Sequence, residues 1–144
     1  MKKMLMSVLM LAIALTARAD GDRLIDREQL PAKAREFLAT HFGDKAVSLA
    51  KVDREIFDLR YEVVLVDGEK IEFTRSGEWD EVSCRYASVP VEIIPKAIYS
   101  QINQRYPDVV VRAINREFKH YEVKLSNGME LIFDRNFRLI GYDD

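Results

Sequence analysis

Cysteine and histidine are scarce in this 144-residue chain, which has one cysteine, Cys84, and two histidines, His41 and His120. A single cysteine cannot form an internal disulfide, so packing must hold the folded domain together. Cys84 could form an intermolecular bridge or act as a nucleophile, but we favour a small, half-buried strand residue. Zinc needs three or four good ligands, and the two histidines are far apart in sequence with no second ligand at helical spacing. The composition therefore predicts no metal site, no cofactor and no Cys–His catalytic pair.

Several sequence motifs of enzymes are also missing. The chain has no Gly-x-Gly-x-x-Gly loop, no P-loop and no Gly-x-Ser-x-Gly nucleophile elbow. The full calcium-loop pattern of an EF-hand is missing too. We therefore predict no catalytic residues and a protein that is not an enzyme. Two alternatives remain open, a carboxylate-dependent hydrolase and a sensor of a cation or small ligand.

Only one long apolar run occurs, from residue 4 to residue 15. It follows Lys2 and Lys3 and precedes Ala17-Arg18-Ala19, the order of regions in a secretory signal peptide. At 12 residues it is short for a membrane span, although a buried N-terminal helix is an alternative. We expect residues 1–19 to be removed after Ala19, leaving a soluble periplasmic protein that does not insert into the membrane.

Positive charge is in short supply once the signal peptide is removed. Without Lys2, Lys3 and Arg18, the 22 basic residues fall to 19 against 24 acidic ones, a formal charge of −5. Phosphate binding depends on a basic patch, so nucleic acid and anionic lipid are poor candidates as partners. The remaining 125 residues are enough for one domain with a real core.

The chain does contain a repeated hairpin sequence, which occurs in two copies. Residues 61–75 read YEVVLVDGEKIEFTR, and residues 121–135 read YEVKLSNGMELIFDR. Alternating apolar residues around Asp-Gly or Asn-Gly indicate a hairpin, because both central residues of a type I′ turn need positive φ. The first copy carries about four additional residues near residues 55–60, before its hairpin.

A helix is predicted ahead of each hairpin. Leu30-Pro31 and Ile94-Pro95 open the two segments, and apolar residues then follow at helical spacing. We divide the chain into a flexible lead-in at 20–29, a first repeat at 30–84, a short link at 85–93 and a second repeat at 94–144. The predicted fold is α+β, with two tandem repeats of one helix followed by four antiparallel strands in one shared sheet and the helices on one face.

Period-2 alternation separates the two faces of the sheet. The predicted dry face, covered by the helices, holds Tyr61, Val63, Leu65, Ile71 and Phe73 in the first repeat and Tyr121, Val123, Leu125, Leu131 and Phe133 in the second. The opposite face collects polar side chains, which are Glu62, Glu72, Thr74, Glu122, Lys124, Asp134 and either Glu130 or Ile132. A solvated face is the ordinary outcome for such a pattern, whereas a partner-binding face or a weak divalent-cation site are the functional alternatives.

Three aromatic residues complete the candidate set. Trp79 matches Leu139 of the second copy, so we expect it to pack in the core. Tyr99 and Phe118 have no apolar equivalent in the first copy, which predicts that they are exposed. Exposed aromatic side chains often anchor protein interfaces.

These pieces together resemble the PepSY-like, beta-lactamase-inhibitor-like family of exported bacterial proteins. The resemblance rests on Leu30-Pro31, Tyr61-Glu62-Val63, Asp67-Gly68, Ile71-Glu72-Phe73 and Gly77-Glu78-Trp79, and on Ile94-Pro95, Tyr121-Glu122-Val123 and Asn127-Gly128. The second copy departs from it at residues 136–139, Asn-Phe-Arg-Leu. The resemblance implies a curved sheet, an envelope location and a binding or inhibitory role, with no catalytic residues to carry over.

The hypothesis is therefore a non-catalytic periplasmic binding module, an inhibitor or regulator of a protein or peptide in the cell envelope. We expect the helix-free face to bind this partner through Glu62, Glu72, Thr74, Glu122, Lys124 and Asp134, with Tyr99 and Phe118 as aromatic anchors.

Overall fold

The structure of the protein is a computed structural model that describes residues 21–43, 45–55 and 57–143. The predicted signal peptide lies outside the described residues. The described residues contain two α-helices, α1 (Ala32–Phe42) and α2 (Lys96–Arg105). The strands are β1 (Asp22–Leu24), β2 (Val47–Glu55), β3 (Asp58–Leu65), β4 (Lys70–Phe73), β5 (Trp79–Ser83), β6 (Val111–Arg116), β7 (His120–Leu125), β8 (Glu130–Asp134) and β9 (Leu139–Asp143).

The strands form one open antiparallel sheet in simple chain order, from β1 to β9. The predicted α+β class is confirmed, with two helices that are each followed by antiparallel strands. β5 pairs with β6 through Val82 opposite Ile114, so the two repeats share a continuous hydrogen-bonded sheet. Both of these residues are fully buried. The junction between repeats is therefore part of the core.

The predicted dry face is the core. Val63, Leu65, Ile71 and Phe73 are at most 2% exposed, and their counterparts in the second repeat are at most 3% exposed. Ala34, Leu38 and Phe42 of α1 cover this face together with Ile98 and Ile102 of α2. Tyr61 and Tyr121 are partly buried at its margin. The opposite face carries no helix in the described part of the chain, and we call it the open face.

The segment predicted to be a flexible lead-in contains two regular elements. β1 pairs with β2, with Asp22 opposite Asp53 and Leu24 opposite Lys51. A 3₁₀ turn follows at Arg27–Gln29. The side chain of Gln29 accepts a hydrogen bond from the backbone N–H of Asp26 at 2.8 Å. The sequence pattern did not predict β1, because every side chain of a short edge strand can be exposed and no apolar alternation is then needed.

The four additional residues of the first repeat lengthen a hairpin. β2 and β3 continue their pairing to Glu55 opposite Asp58, whereas β6 and β7 begin their pairing at Arg116 opposite Tyr121. The extra length therefore went into the strands rather than into a loop. Bulges recur at equivalent places, after Val47 and Val111, and again before Phe73 and Phe133. Bulges bend a strand and increase its twist, so the two repeats curve the sheet in the same way.

Cys84 and the link after it are more buried than the sequence suggested. Cys84 lies just beyond β5 and is 2% exposed, and burial raises the pKa of its thiol to about 11. The link carries the fully buried Val89 and a 3₁₀ turn at Val91–Ile93. The Cys84 side chain is therefore a neutral thiol at neutral pH and belongs to the core.

Candidate binding surface

A row of carboxylates crosses three neighbouring strands of the open face. Glu62 of β3 lies opposite Glu72 of β4, and Glu72 lies opposite Glu81 of β5. Like charges directly opposite one another on a sheet are destabilising unless they are paired. The sequence pattern gave Glu62 and Glu72 but missed Glu81. The bulge that makes β5 one residue out of step is what aligns Glu81 with them.

A single lysine, Lys70, forms ion pairs with all three glutamates. The Nζ atom of Lys70 lies 3.8 Å from Glu62, 3.6 Å from Glu72 and 3.5 Å from Glu81, measured to a carboxylate oxygen in each case. Lys51 adds a contact of 3.0 Å to the other oxygen of Glu62 and one of 2.9 Å to Asp22. These side chains are mostly buried against one another, between 20% and 39% exposed apart from Asp22. We call Glu62, Glu72, Glu81 and Lys70 the glutamate cluster.

Burial and crowding shift the proton affinities in the glutamate cluster. Burial raises the pKa of Glu72, and repulsion from Glu81 raises it further against the attraction of Lys70. Burial alone would lower the pKa of Lys70, but the attraction of Glu81, Glu72 and Glu62 outweighs it and raises that pKa. The lysine therefore stays charged at neutral pH, and one ammonium remains shared by three carboxyl groups.

The second repeat presents a different surface at the same places. Glu122 faces Asn115 on one side and Ile132 on the other, and Lys124 lies opposite Glu130. The sequence pattern left open whether Glu130 or Ile132 lies on the open face, and in the structure both do. His120 lies opposite Asp134 and donates to the Glu122 carboxylate at 3.1 Å. The carboxylate row of the first repeat has no equivalent here, because Ile132 and Gly141 stand where Glu72 and Glu81 stand.

Exposed phenylalanines mark one end of the sheet. Phe57 follows β2 in the first long hairpin and is 99% exposed, and Phe118 lies between β6 and β7 and is 81% exposed. The exposure predicted for Phe118 is confirmed, while the sequence pattern missed Phe57. A cleft of about 470 Å³ at this end is lined in part by Phe118, Thr74 and Arg135. It brings Thr74 and Phe118 together, both of which are predicted site residues.

Tyr99 does not belong to this surface. The prediction that it is exposed is wrong, because it lies on α2 and packs partly buried against the core, on the helix side of the sheet. The polar equivalent in the first copy misled the prediction, because Arg35 on α1 is exposed whereas Tyr99 at the same place on α2 is partly buried. Trp79 packs against the core as predicted, with the Arg116 guanidinium 4.3 Å from its ring centroid and Phe37 6.5 Å away.

Metal binding by carboxylates finds little support in the geometry. Within residues 21–43, 45–55 and 57–143, no group of three or more acidic, histidine or cysteine side chains is arranged to hold a metal ion. In the glutamate cluster, the Lys70 ammonium takes the position between the carboxylates that a cation would need. The cluster is a set of fixed ion pairs on a sheet.

Comparison with protein-family models matches residues 59–141 to a family described as "Putative beta-lactamase-inhibitor-like, PepSY-like". The chain belongs to the PepSY-like family. The matched segment begins in β3 and ends in β9, so it includes both hairpins, the helix between them and most of the open face. No curated protein matches the chain in a sequence search.

Three solved structures of Bacteroides proteins are similar to this chain. A protein of Bacteroides vulgatus, described as a putative periplasmic protein, is 44% identical with a TM-score of 0.85 and covers 88% of this chain and 99% of its own. One from Bacteroides thetaiotaomicron, described as a putative calcium-regulated periplasmic protein, is 46% identical with a TM-score of 0.83 over 85% and 97%. A second Bacteroides vulgatus protein of unknown function is 36% identical with a TM-score of 0.82 over 86% and 100%.

The location of these relatives agrees with the predicted export of this chain, since all three are described as periplasmic. None of the helices in the described ranges has the length and apolar character that crossing a membrane requires.

Proposed function

We propose that this PepSY-like protein is a non-catalytic binding module of the periplasm, whose open face binds a basic segment of a protein or peptide partner. The observation that carries the proposal is the glutamate cluster, which holds three carboxylates in a row across β3, β4 and β5 on the face without helices. Such a row costs stability in an isolated sheet, and a positively charged partner would relieve that cost.

Rigidity favours this use of the cluster. Glu62, Glu72 and Glu81 lie on strands that are paired on both sides, and their side chains are only 20% to 32% exposed, so little freedom remains to be lost on binding. The carboxylates outnumber the lysines that contact them, since Lys51 and Lys70 serve four acidic side chains including Asp22. The local charge is therefore negative, and it would steer a basic partner to this face.

Phe57 and Phe118 provide apolar contacts at one end of the same sheet. Large exposed aromatic side chains on turns bury much surface when a partner covers them. We infer that the partner lies along the sheet, with its charged part on the glutamate cluster and an apolar part against the turns. The inhibitor-like name of the family is in keeping with a protein partner, although fold alone does not specify one.

Cation sensing is the second candidate function, because a relative that is 46% identical is described as calcium-regulated. In this chain a divalent ion would have to displace the Lys70 ammonium from the glutamate cluster. A rise in Tm on adding calcium chloride, lost on changing the glutamates, would favour this candidate, since a ligand of the native state stabilises it by mass action.

The decisive test is affinity capture from envelope extract with two matched variants of the exported protein. The first variant, Glu62→Gln with Glu72→Gln and Glu81→Gln, removes three charges from the open face. The control, Glu28→Gln with Glu36→Gln and Asp108→Asn, removes three charges from exposed positions outside the sheet. We expect the wild type and the control to recover one partner saturably. The cluster variant should lose at least about tenfold in affinity, as for desolvated charge pairs.

Equal capture by both variants would contradict the proposal, as would failure to recover any saturable partner. Raising the salt concentration gives a second readout, because binding led by charge must weaken as screening increases. A catalytic role would instead appear as turnover that depends on pH and is lost on a single carboxylate substitution.

A further inference from the structure

One ion pair lies at the edge of the core, away from the open face, with its carboxylate buried and its lysine partly exposed. Glu69 directly precedes β4 and is 3% exposed. One of its carboxylate oxygens, Oε1, accepts a hydrogen bond from the Nζ atom of Lys45. Lys45 also lies 3.2 Å from a carboxylate oxygen of Asp67. The other oxygen of Glu69, Oε2, is buried and has no hydrogen-bond partner among the described residues.

The second repeat shows what the fold needs at this place. The backbone N–H of Leu65 donates to the carbonyl of Glu69 at 2.8 Å, and that of Leu125 donates to the carbonyl of Met129 at 2.8 Å. Glu69 and Met129 are therefore equivalent. Lys45, two residues before β2, is likewise equivalent to Val109, two residues before β6. Val109 and Met129 are partly buried apolar residues packed against the core.

The comparison of the two repeats argues against fold stability as the reason for the ion pair. Replacing a buried ion pair with apolar side chains of similar volume is often neutral or stabilising. A buried carboxylate oxygen without a partner adds a further desolvation cost. The same chain carries the apolar solution in its second repeat, so Lys45 and Glu69 retain a costly arrangement that the architecture does not require.

A cleft lies next to the pair. It has a volume of about 490 Å³ and is lined by Lys45, Val66, Asp67, Glu69, Tyr86 and Ala87. Tyr86 is 77% exposed and Val66 is 59% exposed, so both lie on the solvent side of the cleft. Two carboxylates face one ammonium among the lining side chains. The β3–β4 turn that forms this cleft lies at the opposite end of the strands from Phe57 and Phe118.

We propose that this cleft binds an alkylammonium group, which donates a hydrogen bond to Glu69 Oε2 once the side chains that bury this atom have moved aside. The lone acceptor calls for a hydrogen-bond donor, and the excess of carboxylates calls for a positive one. The Tyr86 ring can lie against the cation, and Val66 and Ala87 can contact its alkyl chain. A free amine and the lysine side chain of a protein share this chemistry. The site is separate from the open face and does not depend on the function proposed for it.

The first test measures stability and needs no ligand. The double variant Lys45→Val with Glu69→Met copies the apolar pair of the second repeat. We expect its Tm to exceed that of the wild type by about 3 °C or more. A Tm below that of the wild type would mean that the ion pair serves the fold, and it would overturn the proposal. Should the double variant not fold, the near-isosteric Glu69→Gln variant carries the binding test alone.

The second test follows amide resonances by NMR while n-butylammonium chloride is added to the wild-type protein, with butan-1-ol as the uncharged control. We expect saturable shifts at Glu69, Tyr86 and Ala87 for the amine only, and affinity at least about tenfold lower in Glu69→Gln. Glu28→Gln removes the same charge from an exposed position outside the sheet and should bind the amine normally. Repeating the titration with Nα-acetyl-lysine methylamide identifies the source, because a site for free amines alone would bind only butylammonium.

Three results of the titrations would also overturn the proposal. One is an equal response to butan-1-ol, and another is unchanged amine binding by Glu69→Gln. The third is saturation of the same resonances by calcium chloride without any response to the amine, which would make the cleft a metal site. None of these results bears on partner capture by the open face, so the two proposals can fail separately.

Discussion

At the scale of single residues, one turn between strands is built in two different ways. The turn before β5 has Gly77 at a φ of 91°, and the equivalent turn before β9 has Phe137 at a φ of 65°. The backbone N–H of Gly77 donates to the carbonyl of Thr74, and the backbone N–H of Phe137 donates in the same way to the carbonyl of Asp134. Phe137 tolerates this left-handed conformation because its turn is held by side chains, with Asp134 Oδ1 accepting from two backbone N–H groups and Gln101 donating to the Phe137 carbonyl at 2.7 Å.

Gly77 cannot be replaced in the same way, because an added side chain would clash with α1. A Cβ atom there would lie 2.9 Å from Pro31 Cβ and 3.1 Å from the backbone nitrogen of Ala34, because the start of α1 crosses the turn. We expect Gly77→Ala to lower the free energy of unfolding by about 2–4 kcal/mol, from backbone strain and steric clash together. Urea denaturation followed by circular dichroism measures the change.

Gly128→Ala is the matched control for that prediction. Gly128 has nearly the same φ, 89°, but a Cβ atom there would meet nothing within 4 Å. The control should therefore show the conformational cost alone, about 1–2 kcal/mol. Equal losses in the two variants would mean that the close approach of α1 has no energetic weight.

At the scale of secondary-structure elements, the sequence predicted the hairpins well and the edges poorly. The repeated Tyr-Glu-Val and Asp-Gly or Asn-Gly patterns fix both the register and the buried face, because a slip of one residue would turn every apolar side chain outward. β1 carries no such pattern and was missed. Glu81 was missed for another reason, since its place beside Glu72 depends on a bulge and on pairing between strands, which no local window contains. Glu69 could have been found by aligning it with Met129.

The carboxylate row across β3, β4 and β5 gives a prediction about pH. Glu72→Gln removes a charge that Glu62 and Glu81 both oppose, so we expect it to raise Tm at pH 7 by about 1–4 °C. The pKa of Glu72 is raised in the folded protein, so the folded state takes up its proton first as the pH falls. The wild type therefore gains stability below that raised pKa, and the advantage of Glu72→Gln should vanish once the pH falls below the carboxyl's unfolded value of 4.5.

Thermal unfolding of both proteins between pH 3.5 and pH 8 provides the measurement. The difference in Tm should be constant above pH 7 and shrink toward acid pH. An advantage of the same size at every pH would show that the gain comes from packing of the amide rather than from relief of charge repulsion.

At the scale of the whole molecule, the two repeats should unfold as one domain if they share a buried core as well as a hydrogen-bonded sheet. β5 and β6 join the repeats through Val82 and Ile114, which are both fully buried. Arg116 of the second repeat also donates to the backbone carbonyl of Trp79 in the first, at 2.7 Å. Tandem repeats that met only at a polar surface could unfold separately, whereas a shared core should couple them.

Trp79 makes that coupling measurable, because it is the only tryptophan of the chain and lies in the first repeat. Phe133→Ala creates a cavity in the second repeat, where Phe133 is fully buried, and should cost about 3–5 kcal/mol. If the domain unfolds as one unit, Trp79 fluorescence and far-ultraviolet circular dichroism will report the same lowered urea midpoint. Repeats that unfold independently would leave the Trp79 midpoint near its wild-type value while the circular dichroism splits into two transitions. We expect the two urea midpoints to coincide, because the buried core continues from β5 to β6 without a break between the repeats.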